Sequence, residues 1–279
     1  MILPEFYTDH LIQTALQEDI NYIDVATDLM LDPNQIATAH MLAKNDGVLC
    51  GLEVALRVFT LLSSSFTFTV HKQDGDQLQK GDIIATVTGP VTLLLKGERT
   101  ALNLIQHMSG IATATHELVT LVQGTRATIA DTRKTLPGMR ALQKYAVTCG
   151  GGKNHRFNLS DCAMLKDNHI DAAGGITAAV TALRKKLGHT VKIEVETRTL
   201  AEVAEAAEIG ADIIMLDNMD NETMTQAVAI VGGRALTEAS GGITHQTIAA
   251  IAKTGVDIIS VGAITHSVKA FDISLKIQK

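Results

Sequence analysis

Beyond residue 127 the chain falls into a repeat. Short β-branched runs alternate with helical patterns, and the polar residues closing the last four runs, Glu196, Asp217, Ser240 and Gly262, stand 21, 23 and 22 residues apart. A strand, a helix and two tight loops fill that length. Strands joined through helices run parallel, so all of them end on one side of the sheet, where the connecting loops gather and ligands bind. Six runs have this character: Ala127–Asp131, Ala163–Lys166, Val191–Glu196, Asp212–Asp217, Ala235–Ser240 and Ile258–Gly262. That is fewer than the eight of a complete barrel. The expected fold is α/β, an incomplete β/α barrel over residues 111–279, with a doubly wound open sheet as the alternative.

Residues 1–110 read as an α+β open-sheet sandwich domain. Asp9–Glu18 has helical spacing through Leu11, Ile12, Ala15 and Leu16, and Gly51–Leu62 reads as a second helix. Ala37–Ala43, Phe66–His71, Ile83–Thr88 and Thr92–Leu95 have strand composition, with turns at Asn45–Gly47, Asp74–Asp76 and Gly89–Pro90 between them. A longer helical pattern runs from Glu98 to about Val122, with a possible break at Ser109–Gly110.

Composition narrows the function. The 279 residues carry 24 Lys and Arg against 30 Asp and Glu, a formal net charge of −6. With no sustained basic stripe, nucleic acid is not expected as the main partner. No apolar run reaches the ~18 residues of a membrane span. The N-terminal stretch carries Glu5, Asp9, Glu18 and Asp19 in place of a basic leader, so no signal peptide is expected. Three cysteines, Cys50, Cys149 and Cys162, form no CxxC pair, and a reducing cytoplasm is the expected location.

Against this acidic background Asp131–His169 gathers seven cations and three anions. A charge run is ordinarily a solvated face. Here apolar residues and the triplet Gly150–Gly152 interrupt it, which suits a small, multiply anionic ligand. On the repeat, Arg133 and Lys134 follow the first run, Lys166 ends the second, and Glu196 and Asp217 end the third and fourth. Arginine grips planar carboxylates through paired hydrogen bonds while lysine acts as a point charge, so Arg133, Lys134, Arg156 and Lys166, with His155, could fix a small dicarboxylate. The loops Ser240–Thr244 and Gly262–Ala263 offer backbone N–H groups for a phosphate. Glu196 and Asp217 are hard oxygen donors suited to Mg²⁺; their plainer role is to balance nearby lysines.

The segments TRKTLPG, KYAVTCGGGKNHRFNLSD and KDNHI, followed by IEVET, IIMLDN, EASGGIT and ISVGAITHS and preceded by GERTALN and LIQHMSGIAT, resemble the quinolinate phosphoribosyltransferase family. The resemblance covers nearly the whole chain and is weakest in the region before Glu98, where no motif is matched. It implies a homodimer that uses Mg²⁺ to join quinolinate to phosphoribosyl pyrophosphate, giving nicotinate mononucleotide, pyrophosphate and CO₂ in NAD biosynthesis. It further implies that Arg133, Lys134, His155, Arg156 and Lys166 line the quinolinate pocket. Arg99 would reach into the neighbouring subunit, and Glu196 and Asp217 would face the ribose and Mg²⁺. Ser240, Gly241, Gly262 and His266 would bind the 5′-phosphate. Lys134, Lys166, Glu196 and Asp217 are the expected catalytic residues.

Three other readings compete. A pyrophosphorylase-like relative encoded with molybdenum transport systems is similar in sequence, and the lysine of KDNH speaks for the quinolinate enzyme. Lys166 at a strand end could form a Schiff base, as in a barrel aldolase. QDGDQLQKGDIIATVTGP has the cadence of a lipoyl or biotinyl carrier hairpin, although a turn-rich sheet explains it more simply.

Overall fold

The computed structural model describes residues 3–278. In chain order the elements are α1 (Glu5–Asp19), α2 (Thr27–Met30), β1 (Ile36–Ala43), β2 (Gly47–Val48), α3 (Leu52–Leu62), β3 (Thr67–Val70), β4 (Gln77–Leu78), β5 (Ile83–Pro90) and α4 (Val91–Leu121). They continue as β6 (Thr128–Ala130), α5 (Arg140–Cys149), β7 (Cys162–Leu165), α6 (Asp167–Ala173), α7 (Ile176–Arg184), β8 (Lys192–Thr197) and α8 (Leu200–Glu208). The last are β9 (Ile213–Asp217), α9 (Asn221–Val231), β10 (Leu236–Ser240), α10 (Ile248–Ala252), β11 (Ile258–Ser260), α11 (Ala263–His266) and β12 (Ile273–Ile277).

Two compact units emerge. The first comprises the described residues of Met1–His116, Leu136–Gly151 and Ile264–Lys279, and the second Glu117–Thr135 and Gly152–Ala263. In the first, an antiparallel sheet has the order β12-β1-β5-β3, and β2 pairs with β4 beside it. Alternation fixes its buried face: Ala39, Met41 and Ala43 of β1 point inward with Ala85 and Val87 of β5. The edge strand β12 comes from the far end of the chain, which the sequence reading did not foresee. Helix α3 starts where the Asp74 carboxylate accepts the Gly51 and Leu52 amides at 2.9 and 3.0 Å, satisfying two orphan helix donors. The Phe59 ring of α3 meets Phe66 at 5.4 Å, and the Phe66 ring fills the space that a Cβ at Gly89 would need.

Two expectations about this unit change. Thr92–Leu95 is the first turn of α4 and has no strand character, and α4 continues through Ser109–Gly110 without a break. Gly110 is explained by packing: a Cβ there would collide with the Lys269 carbonyl. The carrier-like segment is a pair of matching turns. In Gln73–Asp76 and in Gln79–Asp82 the final aspartate accepts the first residue's amide at 2.8 and 3.0 Å, around Gly75 and Gly81 at φ +94° and +99°. That is sheet punctuation.

The second unit is the open β/α barrel. Its six parallel strands follow the order β6-β11-β10-β9-β8-β7, matching the six sequence runs, and β6 does not pair with β7. The segment after the glycine triplet covers that seam. Lys153 bridges to Ala130 of β6, donating its amide to Ile129 at 2.8 Å, while the Arg156 guanidinium donates to the Cys162 carbonyl of β7 at 3.0 Å. The outward faces, Ile193, Val195, Ile214, Leu216, Ala239 and Ile259, are buried under the helices. Two strands begin alike. Asp212 and Asp257, each two residues after a left-handed glycine, accept the amide of the second residue of the neighbouring strand, Ile193 at 2.8 Å and Thr237 at 2.9 Å.

Candidate active site

Each barrel strand sends alternate side chains inward, and at the C-terminal ends they enclose a cavity of about 550 Å³. Its cationic wall carries Arg133, Lys134, Arg156 and Lys166. Glu196 and Asp217 face in from β8 and β9, and Ser240–Gly242 closes the far side. Thus ten of the twelve sequence-derived site residues divide clearly: nine line this cavity, His155 among them, while Gly262 follows β11 outside the lining. Arg99 lies on α4 and His266 on α11, both exposed and both in the first unit.

Local chemistry sets the poses. The amide of Lys134 donates to the Thr132 hydroxyl at 3.0 Å, shaping the turn that follows β6. Lys166 starts α6, where its amide donates to His169 Nδ1 at 3.1 Å, and its ammonium pairs with Glu196 at 3.2 Å. That ammonium is half-exposed and ion-paired. A Schiff-base lysine is commonly activated by desolvation, which this half-exposed side chain lacks. The Arg198 guanidinium pairs with Asp167 at the rim and holds its carboxyl below the ordinary range, after the larger effect of the Asn168 amide.

The glycine loop depends on one strained residue. Asn218, at φ +54°, is the non-glycine residue with positive φ among the described residues. It donates its side-chain amide to Asp217 at 2.9 Å and its backbone amide to the Ser240 carbonyl at 2.9 Å. Gly241, at φ +93°, lies directly against that side chain, where a Cβ would collide with it. Strain of this kind persists where surrounding contacts over-determine the geometry, as at ligand sites. The following helix, α10, has only five residues, so the loop amides themselves offer the anion-binding surface.

Deeper in the barrel lies a feature the sequence reading missed. Glu194 of β8 and Glu238 of β10, both buried, converge on His155, whose Nε2 lies 3.1 Å from one carboxylate and 3.6 Å from the other. Strands two apart stand about 10 Å from each other in a flat sheet, and the two glutamate side chains span that gap to meet one imidazole. Burial, with the Glu194 carboxylate second, pushes Glu238 up to about 7. The signal was present: in IEVE and TEAS a carboxylate occupies an inward position between buried outward residues. The glycine triplet proves to be a turn that leads to His155. Gly150 packs against the Ala112 carbonyl and Gly151 takes φ +89°.

This architecture has close counterparts. Residues 24–109 match the quinolinate phosphoribosyl transferase N-terminal domain and residues 111–276 its C-terminal domain. The chain belongs to the quinolinate phosphoribosyltransferase family. Among its relatives, a probable nicotinate-nucleotide pyrophosphorylase (carboxylating) of Bacillus subtilis is 45% identical across 93% of this chain and 90% of its own. A mitochondrial quinolinate phosphoribosyltransferase (decarboxylating) of Nicotiana tabacum is 42% identical across 98% of this chain and 83% of its own. NadC from Streptococcus pyogenes superposes with a TM-score of 0.96 at 43% identity, with both chains fully covered. Quinolinate phosphoribosyltransferase architecture therefore holds over both units, including the open barrel.

Proposed function

We propose that this chain transfers the phosphoribosyl group of phosphoribosyl pyrophosphate to the ring nitrogen of quinolinate, releasing pyrophosphate and CO₂ and leaving nicotinate mononucleotide for NAD biosynthesis. The single observation that carries it is the division of the barrel cavity. Four cations stand on one wall, two carboxylates at adjacent strand ends, and a glycine loop opposite. The cationic wall suits a pyridine dicarboxylate, with Arg133 and Arg156 as planar grips and Lys134 and Lys166 as point charges. The Ser240–Gly242 amides suit the ribose 5′-phosphate.

Loss of pyrophosphate builds positive charge on the ribose, which carboxylates at Glu196 and Asp217 stabilise where it develops. The same two side chains, oxygen donors from neighbouring strands, fit Mg²⁺, which would neutralise charge on the departing pyrophosphate. Once ribosylated, the ring nitrogen is cationic and accepts the electron pair left when the adjacent carboxylate departs as CO₂. Lys134 and Lys166 hold the carboxylates in place for that step.

A homodimer and a cytoplasmic location complete this reading. Phe6, Tyr22, Val25, Leu29 and Met30 are all more than two-thirds exposed, an apolar display of the kind that partner surfaces cover. Arg99 would enter the second copy's cavity. Among the described residues no helix is long and apolar enough to cross a membrane. The test is direct: protein incubated with quinolinate, phosphoribosyl pyrophosphate and Mg²⁺ yields nicotinate mononucleotide and CO₂, and folded protein yielding neither overturns the reading.

A further inference from the structure

The two buried glutamates have no task in that reaction scheme, and their geometry supplies one. Glu194 is 0% exposed and Glu238 1%. Two carboxylates buried side by side are costly unless one is paired and the other neutral. His155 pairs the first. Its Nδ1 accepts the Arg156 amide at 2.7 Å, which leaves the ring proton on Nε2, directed at Glu194. Glu238 lies 3.6 Å from that same nitrogen, beyond ordinary hydrogen-bond reach, so His155 leaves its charge uncompensated. A neutral carboxyl group avoids placing a second buried charge beside Glu194. Burial and Glu194 raise its pKa, while His155 and Ser260 oppose them.

Position adds a second constraint. Glu238 lines the substrate cavity and also a separate cavity of about 410 Å³ built from the N-terminal halves of the strands, with Thr128, Cys162, Ile213 and Ile258 in its walls. We propose that Glu238 is the acid that protonates the pyridine ring carbon vacated by CO₂. In this step the bond between that ring carbon and the carboxylate breaks, the electron pair stays on the carbon beside the ribosylated nitrogen, and CO₂ leaves. The Glu238 O–H bond then breaks as the new C–H bond forms, and Glu238 is left as a carboxylate. A proton taken up from bulk solvent by way of the second cavity then restores the Glu238 acid.

The proposal rests on the phosphoribosyl-transfer reading and fails separately from it. Wild-type protein that releases neither pyrophosphate nor CO₂ removes both. The decisive measurement is single-turnover kinetics of Glu238→Gln and Glu238→Asp with quinolinate, phosphoribosyl pyrophosphate and Mg²⁺, following pyrophosphate and nucleotide products together. Glutamine keeps the neutral shape and holds no acidic proton. In Glu238→Gln, pyrophosphate release stays near wild type, nicotinate mononucleotide forms about 100-fold more slowly, and a nucleotide retaining both ring carboxylates accumulates. Glu238→Asp, still an acid, keeps the second step within about tenfold. Wild-type product formation in the glutamine variant overturns the assignment. So does an equal loss of pyrophosphate release and product formation in both variants, the signature of a merely structural role.

Discussion

At Asn218 and Gly241 two residues solve one steric problem. The asparagine adopts a left-handed backbone so that its side chain can hold Asp217, and the glycine yields the space that side chain needs. Gly241→Ala meets both a strained φ and a collision. It should cost about 1–3 kcal/mol of stability and raise the KM for phosphoribosyl pyrophosphate more than that for quinolinate; unchanged KM values would separate the loop from the phosphate. Arg156 makes a similar point through its fork, which reaches the Cys162 carbonyl and, at 3.4 Å, the Met164 sulfur. Arg156→Ala loses both the charge and that planar reach, so quinolinate turnover should fall at least ~100-fold, as for truncation of a charge-assisted pair, and near-native kinetics would remove Arg156 from the site. Glu238 has a consequence for stability as well. Its pKa is raised from 4.5 to about 7, so between those values the folded chain binds more protons than the unfolded one. Folding stability from this group is thus present below about pH 4.5 and lost as pH rises through 7, a difference on the order of 3 kcal/mol. Denaturant titrations of wild type and Glu238→Gln from pH 5 to 8 should diverge by that trend, and parallel curves would contradict it.

At the scale of elements, the barrel is joined by a device that recurs every second βα unit. In GADII and GVDII a left-handed glycine ends one helix, and the aspartate two residues later accepts a backbone amide from the preceding strand. Asp257→Ala leaves the buried Thr237 amide and hydroxyl without their acceptor and should cost about 1–3 kcal/mol. Asp212→Ala should cost somewhat less, because Asp212 is more exposed. Thermal denaturation measures both, and kcat should stay near wild type because neither side chain lines the substrate cavity. The repeat that such residues punctuate was legible from spacing alone, since parallel strands impose a period on any sequence. So was the side of the sheet where Lys166, Glu196 and Asp217 end their strands. The extent of α4 was not legible, because the Lys269 carbonyl that dictates Gly110 lies far along the chain. Nor was β12, whose edge position depends on pairing with β1, roughly the whole chain length away. The buried glutamates were readable in parity and passed over, because a lone inward carboxylate gains meaning only once a histidine is seen to meet two of them.

At the scale of the whole molecule, the chemistry-bearing residues are unequally shared. The cavity residues belong to the second unit, while Arg99 and His266 belong to the first, as do the exposed apolar residues between Phe6 and Met30. A barrel that supplied every group itself would leave Arg99, exposed on α4, without a catalytic task. The proposed homodimer gives it one in the opposite copy, and the idea has a sharp consequence. Arg99→Ala and Lys134→Ala should each abolish turnover in isolation. In a dimer assembled from one copy of each, one cavity carries both defects and the other carries neither. Random exchange makes half of all dimers mixed, so activity should return to about a quarter of wild type. Subunit exchange can be confirmed by differently tagged copies before activity is read. Verified exchange without recovery would assign Arg99 to its own chain's chemistry, or to none, and would leave the apolar N-terminal surface to be explained by some other contact.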